Sequence, residues 1–287
     1  MIQQATGLNS TALEAIAGLE RRVLAADGGR LKLEWGTLRN RPRDEVRDLL
    51  WWEDGQLLGF LGIYGSGRKV FEITGMVDPG ARRRGIARAL FDAALPIVMA
   101  RGVSRVLMVV PRASEAGRAF ARRLDMSYEH SEHAMRLGGR PAETGGPELA
   151  LRQAFVDDIP KLSDLYRDGF GDDGYVDPAR LESERSRTLM IERGGIVVGT
   201  IAIVRDGGRG AIYAFVVDAA QRGRGIGRQA LRQVCQELFD AGADHVDLEV
   251  EVENDRALGL YTSVGFSLVA TDDYYELILH EAAGQAA

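Results

Sequence analysis

Arg82-Arg83-Arg84-Gly85-Ile86-Ala87 in the first half of the chain is matched by Arg222-Gly223-Arg224-Gly225-Ile226-Gly227 in the second, 140 positions later. The same ungapped shift lays Leu49 on Leu189, Gly55 on Gly195, Gly59 on Gly199, Ile63 on Ile203, Val77-Asp78 on Val217-Asp218 and Val106 on Val246. Self-similarity at one fixed distance marks a structural unit written twice. A chain of 287 residues has room for two domains of ordinary size.

Outward from the repeat, Gly138 to Pro147 has the glycine and proline content of a linker and no hydrophobic period. The expected division is therefore an N-terminal domain over 1–137, a linker over 138–147 and a C-terminal domain over 148–287. In the second half, alternation predicts strands at 148–153, 187–193, 196–205, 211–218, 246–252 and 274–279, and helical spacing predicts helices over 156–170, 225–240 and 254–264. The first half repeats the plan from residue 48, with strands at 48–53, 56–64, 70–78 and 105–110 and helices from Gly85 and near 114–124. The class is mixed α/β (α+β), a mostly antiparallel sheet flanked by helices, twice.

Composition is that of an ordinary globular protein, 45% hydrophobic and 27% charged, and no apolar run approaches the length of a membrane helix. Met1 to Gln4 opens without a basic stretch and apolar segment, so the cytoplasm is the expected location. A single cysteine, Cys235, and four histidines give no metal-site pattern, and no metal is expected. A net charge of −6 argues against a nucleic-acid partner, and no membrane partner is expected. The arginines nonetheless gather at the two repeated loops. Alone, Arg82 to Arg88 reads as a solvated helix face; its return beside glycines at the same spacing points to an anionic ligand.

Each loop follows a strand ending in Val-Asp and precedes a helix. Glycines let backbone approach a ligand, the N–H groups of a helix start cradle phosphate oxygens, and arginine adds charge-assisted hydrogen bonds. A dinucleotide-binding reading is disfavoured, because its glycine pattern follows the first parallel strand of a βαβ unit rather than the third strand of a meander.

With these residues in view, both halves resemble the Gcn5-related N-acetyltransferase (GNAT) superfamily, whose Arg/Gln-x-x-Gly-x-Gly/Ala loop binds the pyrophosphate of acetyl-CoA. In the second half the resemblance extends to Leu248-Glu249-Val250, Asn254 and Leu260-Tyr261-Thr262-Ser263-Val264-Gly265-Phe266, similar to ribosomal-protein alanine N-acetyltransferases. The tandem architecture is similar to that of mycothiol synthases. The resemblance implies two tandem GNAT domains, acetyl-CoA as co-substrate, and acetyl transfer to a primary amine of a small molecule or of a peptide or protein N-terminus.

It also implies roles. Glu249 would be the general base, Tyr261 the general acid toward the CoA sulfur, and a backbone N–H of Val216 or Val217 the donor to the thioester oxygen. Asn254 would orient the pantetheine arm or start the helix. The cofactor loop would comprise Arg222, Gly223, Arg224, Gly225, Ile226, Gly227 and Arg228, with Met76, Val77, Arg82, Arg84, Gly85 and Ala87 as its counterpart. Plainer readings stand beside these: Tyr261 as a core aromatic, Asn254 as an N-cap, Glu249 as one charge on a solvated strand face.

The first half keeps the loop and loses the chemistry, with Val109, Ser114 and Ala121 at the positions of Glu249, Asn254 and Tyr261. It is expected to be catalytically reduced, although Glu72 occupies a place where some superfamily members keep a base. Asp247, Glu249, Glu251 and Glu253 share a strand face, and Asp172, Asp173, Asp177, Glu182 and Glu184 lie on the segment expected to wall the acceptor site, so an amine is favoured. Tyr274-Tyr275 would line that groove or pack. Trp51-Trp52 alternate on a strand and read as core. A mycothiol-synthase-like acceptor, or an acetyl-CoA-binding regulator without turnover, are the alternatives, and the expected state is monomer or homodimer.

Overall fold

The computed structural model describes residues 1–65, 70–142, 145–171, 174–181 and 186–279. The chain divides into two compact units, one of Met1–Glu132 with Ala270–Ala287 and the other of His133–Val269. These are unit 1 and unit 2, respectively. The cuts fall inside strands, whereas the sequence composition placed a single boundary in the 138–147 segment.

The chain runs β1 (Ile2–Ala5), α1 (Ser10–Asp27), α2 (Trp35–Arg39), β2 (Asp48–Glu53), β3 (Gln56–Tyr64), β4 (Val70–Val77), α3 (Ile86–Met99), β5 (Arg105–Pro111), α4 (Glu115–Arg123) and β6 (Ser127–Leu137). It continues through β7 (Ala150–Gln153), α5 (Ile159–Phe170), α6 (Pro178–Leu181), β8 (Ser186–Arg193), β9 (Ile196–Asp206), β10 (Arg209–Val217), α7 (Ile226–Asp240), β11 (His245–Glu251), α8 (Asp255–Val264) and β12 (Ser267–Ile278). Among the described residues no helix is long and apolar enough to cross a membrane.

In unit 1 the strand order is β1-β2-β3-β4-β5-β12. Every pairing is antiparallel except β4 with β5. Asp54 and Gly55, at φ 47° and 77°, form the two-residue turn between β2 and β3, the left-handed geometry that matches strand twist. Gly194 and Gly195, at φ 59° and 77°, do the same between β8 and β9 of unit 2. Unit 2 has the order β6-β11-β10-β9-β8-β7, with β10 and β11 parallel. Each sheet thus takes one strand from the other half of the sequence. β12, read from sequence as closing the second domain, pairs with β5 of unit 1 through Tyr274↔Val109 and Tyr275↔Met108.

Both sheets are packed on two faces. In unit 1, Leu49, Ile63, Leu90 and Met108 lie in the core under α3 and α4, while Ile16, Leu19, Leu50 and Phe60 lie in the core under α1. Trp51 and Trp52 go to opposite cores, as their alternation requires. Helix α1, Ser10–Asp27, is an element beyond those expected from the repeat. Its apolar spacing at Ile16, Leu19 and Val23, and the Asn9 side chain accepting from Ala12 N–H at 2.8 Å, are the signals that mark it.

Candidate active site

In unit 2, β10 and β11 pair only from Arg209↔His245 to Ile212↔Leu248 and then part, although β10 runs to Val217 and β11 to Glu251. The parting coincides with a bulge: between Tyr213 and Val216 two residues of β10, Ala214 and Phe215, face one of β9. Ala214 is held at φ 44°, a left-handed conformation that costs a non-glycine residue about 1 kcal/mol or more. Bulges of this kind re-aim backbone at functional sites. Past the bulge, Asp218 N–H donates to Val198 C=O on β9, so by strand alternation the polar groups of Val217 point the other way, into the gap. Of the two expected oxyanion donors, Val216 and Val217, Val217 is the one directed there.

The loop after β10 is braced from α5. Arg222 donates from Nε to Val217 C=O at 2.8 Å and from its terminal nitrogen to Asp168 at 2.6 Å. Lys161 donates to Asp218 at 2.9 Å, and this bond holds the Asp218 carboxyl below the usual carboxylate range. Arg222 is therefore a strut of the loop. Arg224 is exposed, and Arg228 donates to Ser263 at 3.0 Å. Gly223 and Gly225, at φ 78° and 79°, turn the chain into α7. The first bond of that helix joins Gln229 N–H to Gly225 C=O, so Gly225, Ile226, Gly227 and Arg228 carry N–H groups without a partner inside the helix. Those donors, two glycines and the Arg224 charge fit a pyrophosphate.

Glu249 is half-buried on β11, whose other face sends Val246, Leu248 and Val250 into the core that contains Tyr261. Glu249 and Tyr261 thus belong to opposite faces of the sheet, and the gap between β10 and β11 is where a thread between them would pass. Tyr261 is 8% exposed and packs 6.1 Å from Phe266, and burial pushes its phenol up to about 12. Such a phenol keeps its proton through neutral pH, so it can act as an acid and not as a base. Asn254 caps α8, accepting from Ala257 N–H at 3.1 Å, and takes the second of its two expected roles.

The acidic strand face is less open than its alternation suggested. Asp247 is buried, and although burial alone would raise its pKa, hydrogen bonds from Arg136 at 2.7 and 3.0 Å and from Arg209 at 3.0 Å hold it down. β11 ends at Glu251, leaving Glu253 beyond the strand. Asp177 is half-buried, and Asp172, Asp173, Glu182 and Glu184 lie outside the described residues. Tyr274 and Tyr275 are buried on β12 within unit 1, where they pair across from Val109 and Met108.

Unit 1 repeats the bracing with different residues. Arg82 pairs with Asp27 through two bonds of 2.8 and 2.9 Å and reaches Val77 C=O at 3.3 Å, and Arg22 donates to Asp78 at 2.6 Å. Arg84 pairs with Glu53 at 2.7 Å, and Gly85, at φ 84°, opens α3. The bracing acid and base on α1 and α5 were missed in sequence because those helices do not keep the 140-residue register: Asp27 matches Asp168, and Arg22 matches Lys161. β4 pairs regularly with β3 and has no bulge, with Gly75 opposite Leu61. A cavity of about 730 Å³ opens in this unit beside Met76, Val77, Arg82, Gly85, Ala87 and Ser114. Val109 lines it at the position of Glu249, and Ala121 is buried at that of Tyr261.

Comparison with known proteins matches this duplicated geometry. The model of a family described as "Acetyltransferase (GNAT) family" covers residues 20–126 and again 153–266. A mycothiol acetyltransferase of Kineococcus radiotolerans is 30% identical over 284 residues, 91% of this chain and 92% of that protein. Another from Clavibacter sepedonicus is 30% identical over 224 residues, 70% of each. The crystal structure of a GCN5-related N-acetyltransferase from Sphaerobacter thermophilus is similar in fold, with a TM-score of 0.77 at 19% identity, covering 98% of this chain and 96% of that one.

Proposed function

The chain belongs to the acetyltransferase (GNAT) family as a tandem member, and from that premise we propose that it transfers the acetyl group of acetyl-CoA to a primary amine in unit 2. The observation that carries the choice of unit is the bulge at Ala214-Phe215: strain is stored in β10 immediately before Val217, and the regular β4 of unit 1 has no equivalent.

The residues divide the work. The amine gives a proton to Glu249, directly or through water, and its lone pair forms the bond to the thioester carbon. Val217 N–H meets the charge that grows on the carbonyl oxygen. As the carbon–sulfur bond breaks, the electron pair leaves on sulfur, and the protonated Tyr261 supplies its proton. The loop from Arg222 to Arg228 holds the pyrophosphate through the α7 N–H groups. Val109 and Ala121 leave unit 1 without counterparts of Glu249 and Tyr261, so turnover of a free amine falls to unit 2.

Two mycothiol acetyltransferases at 30% identity support a finer second reading, in which the acceptor is the amine that those relatives acetylate. The test is steady-state acetyl transfer to that acceptor and to simple primary amines. Glu249→Gln is expected to flatten the alkaline-rising limb of the pH–rate profile, and an unaltered profile would remove the base assignment.

A further inference from the structure

The cavity of unit 1 reaches both faces of its sheet. Leu61, Ile73 and Met108 line it from the core under α3, and Val23, Phe60 and Met76 from the core under α1. It therefore passes through the gap where β4 and β5 stop pairing, after Ile73 and Met108. On the α1 side its wall includes Leu31, Thr74 and Val109.

One step along each of those segments stands a network of ionisable groups. Lys32 follows Leu31, Glu72 shares a face of β4 with Thr74, and Tyr274 is the cross-strand partner of Val109 and packs with it. Lys32 Nζ donates to Tyr274 Oη at 2.6 Å and lies 3.5 Å from the Glu72 carboxylate and 3.6 Å from that of Glu132. Tyr274 donates in turn to Glu132 at 2.5 Å. The ammonium sits 5.2 Å from the centroid of the Tyr274 ring, and His130 stacks on that ring at 4.2 Å. Two carboxylates, a phenol oxygen and an aromatic ring are the surroundings that recognise a primary amine. Here the amine is the chain's own.

The residue type adds a second observation. Of the 36 basic residues, three are lysines: Lys32, Lys69 and Lys161. A structural ion pair asks only for a fixed charge, which arginine supplies with better geometry, and the chain uses arginine almost everywhere else. Lysine can give up its proton and become a nucleophile.

We propose that Lys32 is an internal acyl acceptor: acetyl-CoA threaded through the unit 1 cavity acetylates the Lys32 side chain. The proposal takes its donor from the family reading, but its site shares no residue with Glu249, Tyr261 or Val217. In the step, the Lys32 ammonium passes one proton to Glu72 and thence to solvent. Its lone pair forms the carbon–nitrogen bond to the thioester carbon, and the carbon–sulfur bond breaks with its electron pair on sulfur. The second nitrogen proton goes to that thiolate. The products are acetyl-lysine, free CoA and one released proton. Acetylation removes the cation that Glu72 and Glu132 share.

The test is incubation of the full-length protein with acetyl-CoA, followed by intact mass and peptide mapping of all three lysines. The expected result is one acetyl group per chain, on Lys32, with labelling at least about tenfold above that of Lys69 or Lys161. Glu72→Gln is expected to slow labelling about tenfold, Lys32→Arg to abolish it, and Tyr261→Phe to leave it intact. An unlabelled Lys32, or equal labelling of the three lysines as in uncatalysed acetylation, overturns the proposal. So does loss of labelling in Tyr261→Phe, which would assign the event to unit 2. Failure of the unit 2 reading is seen separately, in turnover of a free amine.

Discussion

Tyr261 is both a core side chain and the assigned acid, and one substitution separates the two. Tyr261→Phe keeps the ring packed against Phe266 and removes only the hydroxyl. Stability is expected to change by less than about 1 kcal/mol, while kcat falls roughly a hundredfold at unchanged acetyl-CoA affinity. Parallel kinetics and calorimetry check this, and an unchanged kcat would return Tyr261 to the core. Glu132 makes a pH prediction. Burial pushes its carboxyl up, but hydrogen bonds from His130 and Tyr274 and the charge of Lys32 outweigh burial and hold it at about 2 against an ordinary 4.5. The unfolded chain takes up this proton near pH 4.5 and the folded chain only near pH 2. The stabilisation is therefore complete above about 4.5 and lost as pH falls toward 2. Urea unfolding at stepped pH is expected to show that Glu132→Gln flattens this acid limb; parallel curves for the two proteins would oppose the assignment.

At the scale of elements, the two loops are legible in sequence because phosphate-cradling glycines and arginines cannot drift without losing their geometry. Their braces are not legible. A carboxylate on α1 or α5 needs only to reach an arginine, so Asp27 and Asp168 serve from positions that slip by a residue between repeats. The bulge is equally silent: its extra residue is an ordinary Ala214 whose φ of 44° nothing in the local sequence demands. Two predictions belong here. Arg224→Glu is expected to weaken acetyl-CoA binding at unit 2 at least about tenfold without altering unit 1, as read by site-resolved titration, and unaltered affinity would count against the loop as the anion site. Ala214→Gly is expected to stabilise the fold by about 1 kcal/mol in chemical denaturation, because glycine adopts this conformation without strain; destabilisation would mean that the methyl group packs more than the backbone strains.

On the scale of the whole molecule, the duplication was readable and the exchange of strands was not. A strand's alternation tells which residues face a core, not which sheet edge receives it, and Tyr274 and Tyr275 read equally well in either unit. Because β12 completes unit 1 and the end of β6 belongs to unit 2, fragments 1–137 and 148–287 are each expected to lack cooperative unfolding alone and to recover it when co-expressed. Independent cooperative melting of both fragments would contradict the exchange. The assignment of chemistry to unit 2 is tested most directly by steady-state release of CoA thiol from acetyl-CoA in the full-length protein. The acceptors would be primary amines, including the one used by mycothiol acetyltransferases, and wild type would be compared with the Glu249→Gln/Tyr261→Phe double variant. The account predicts that the double variant loses at least about a hundredfold in turnover while still binding acetyl-CoA; turnover at the wild-type rate would contradict it.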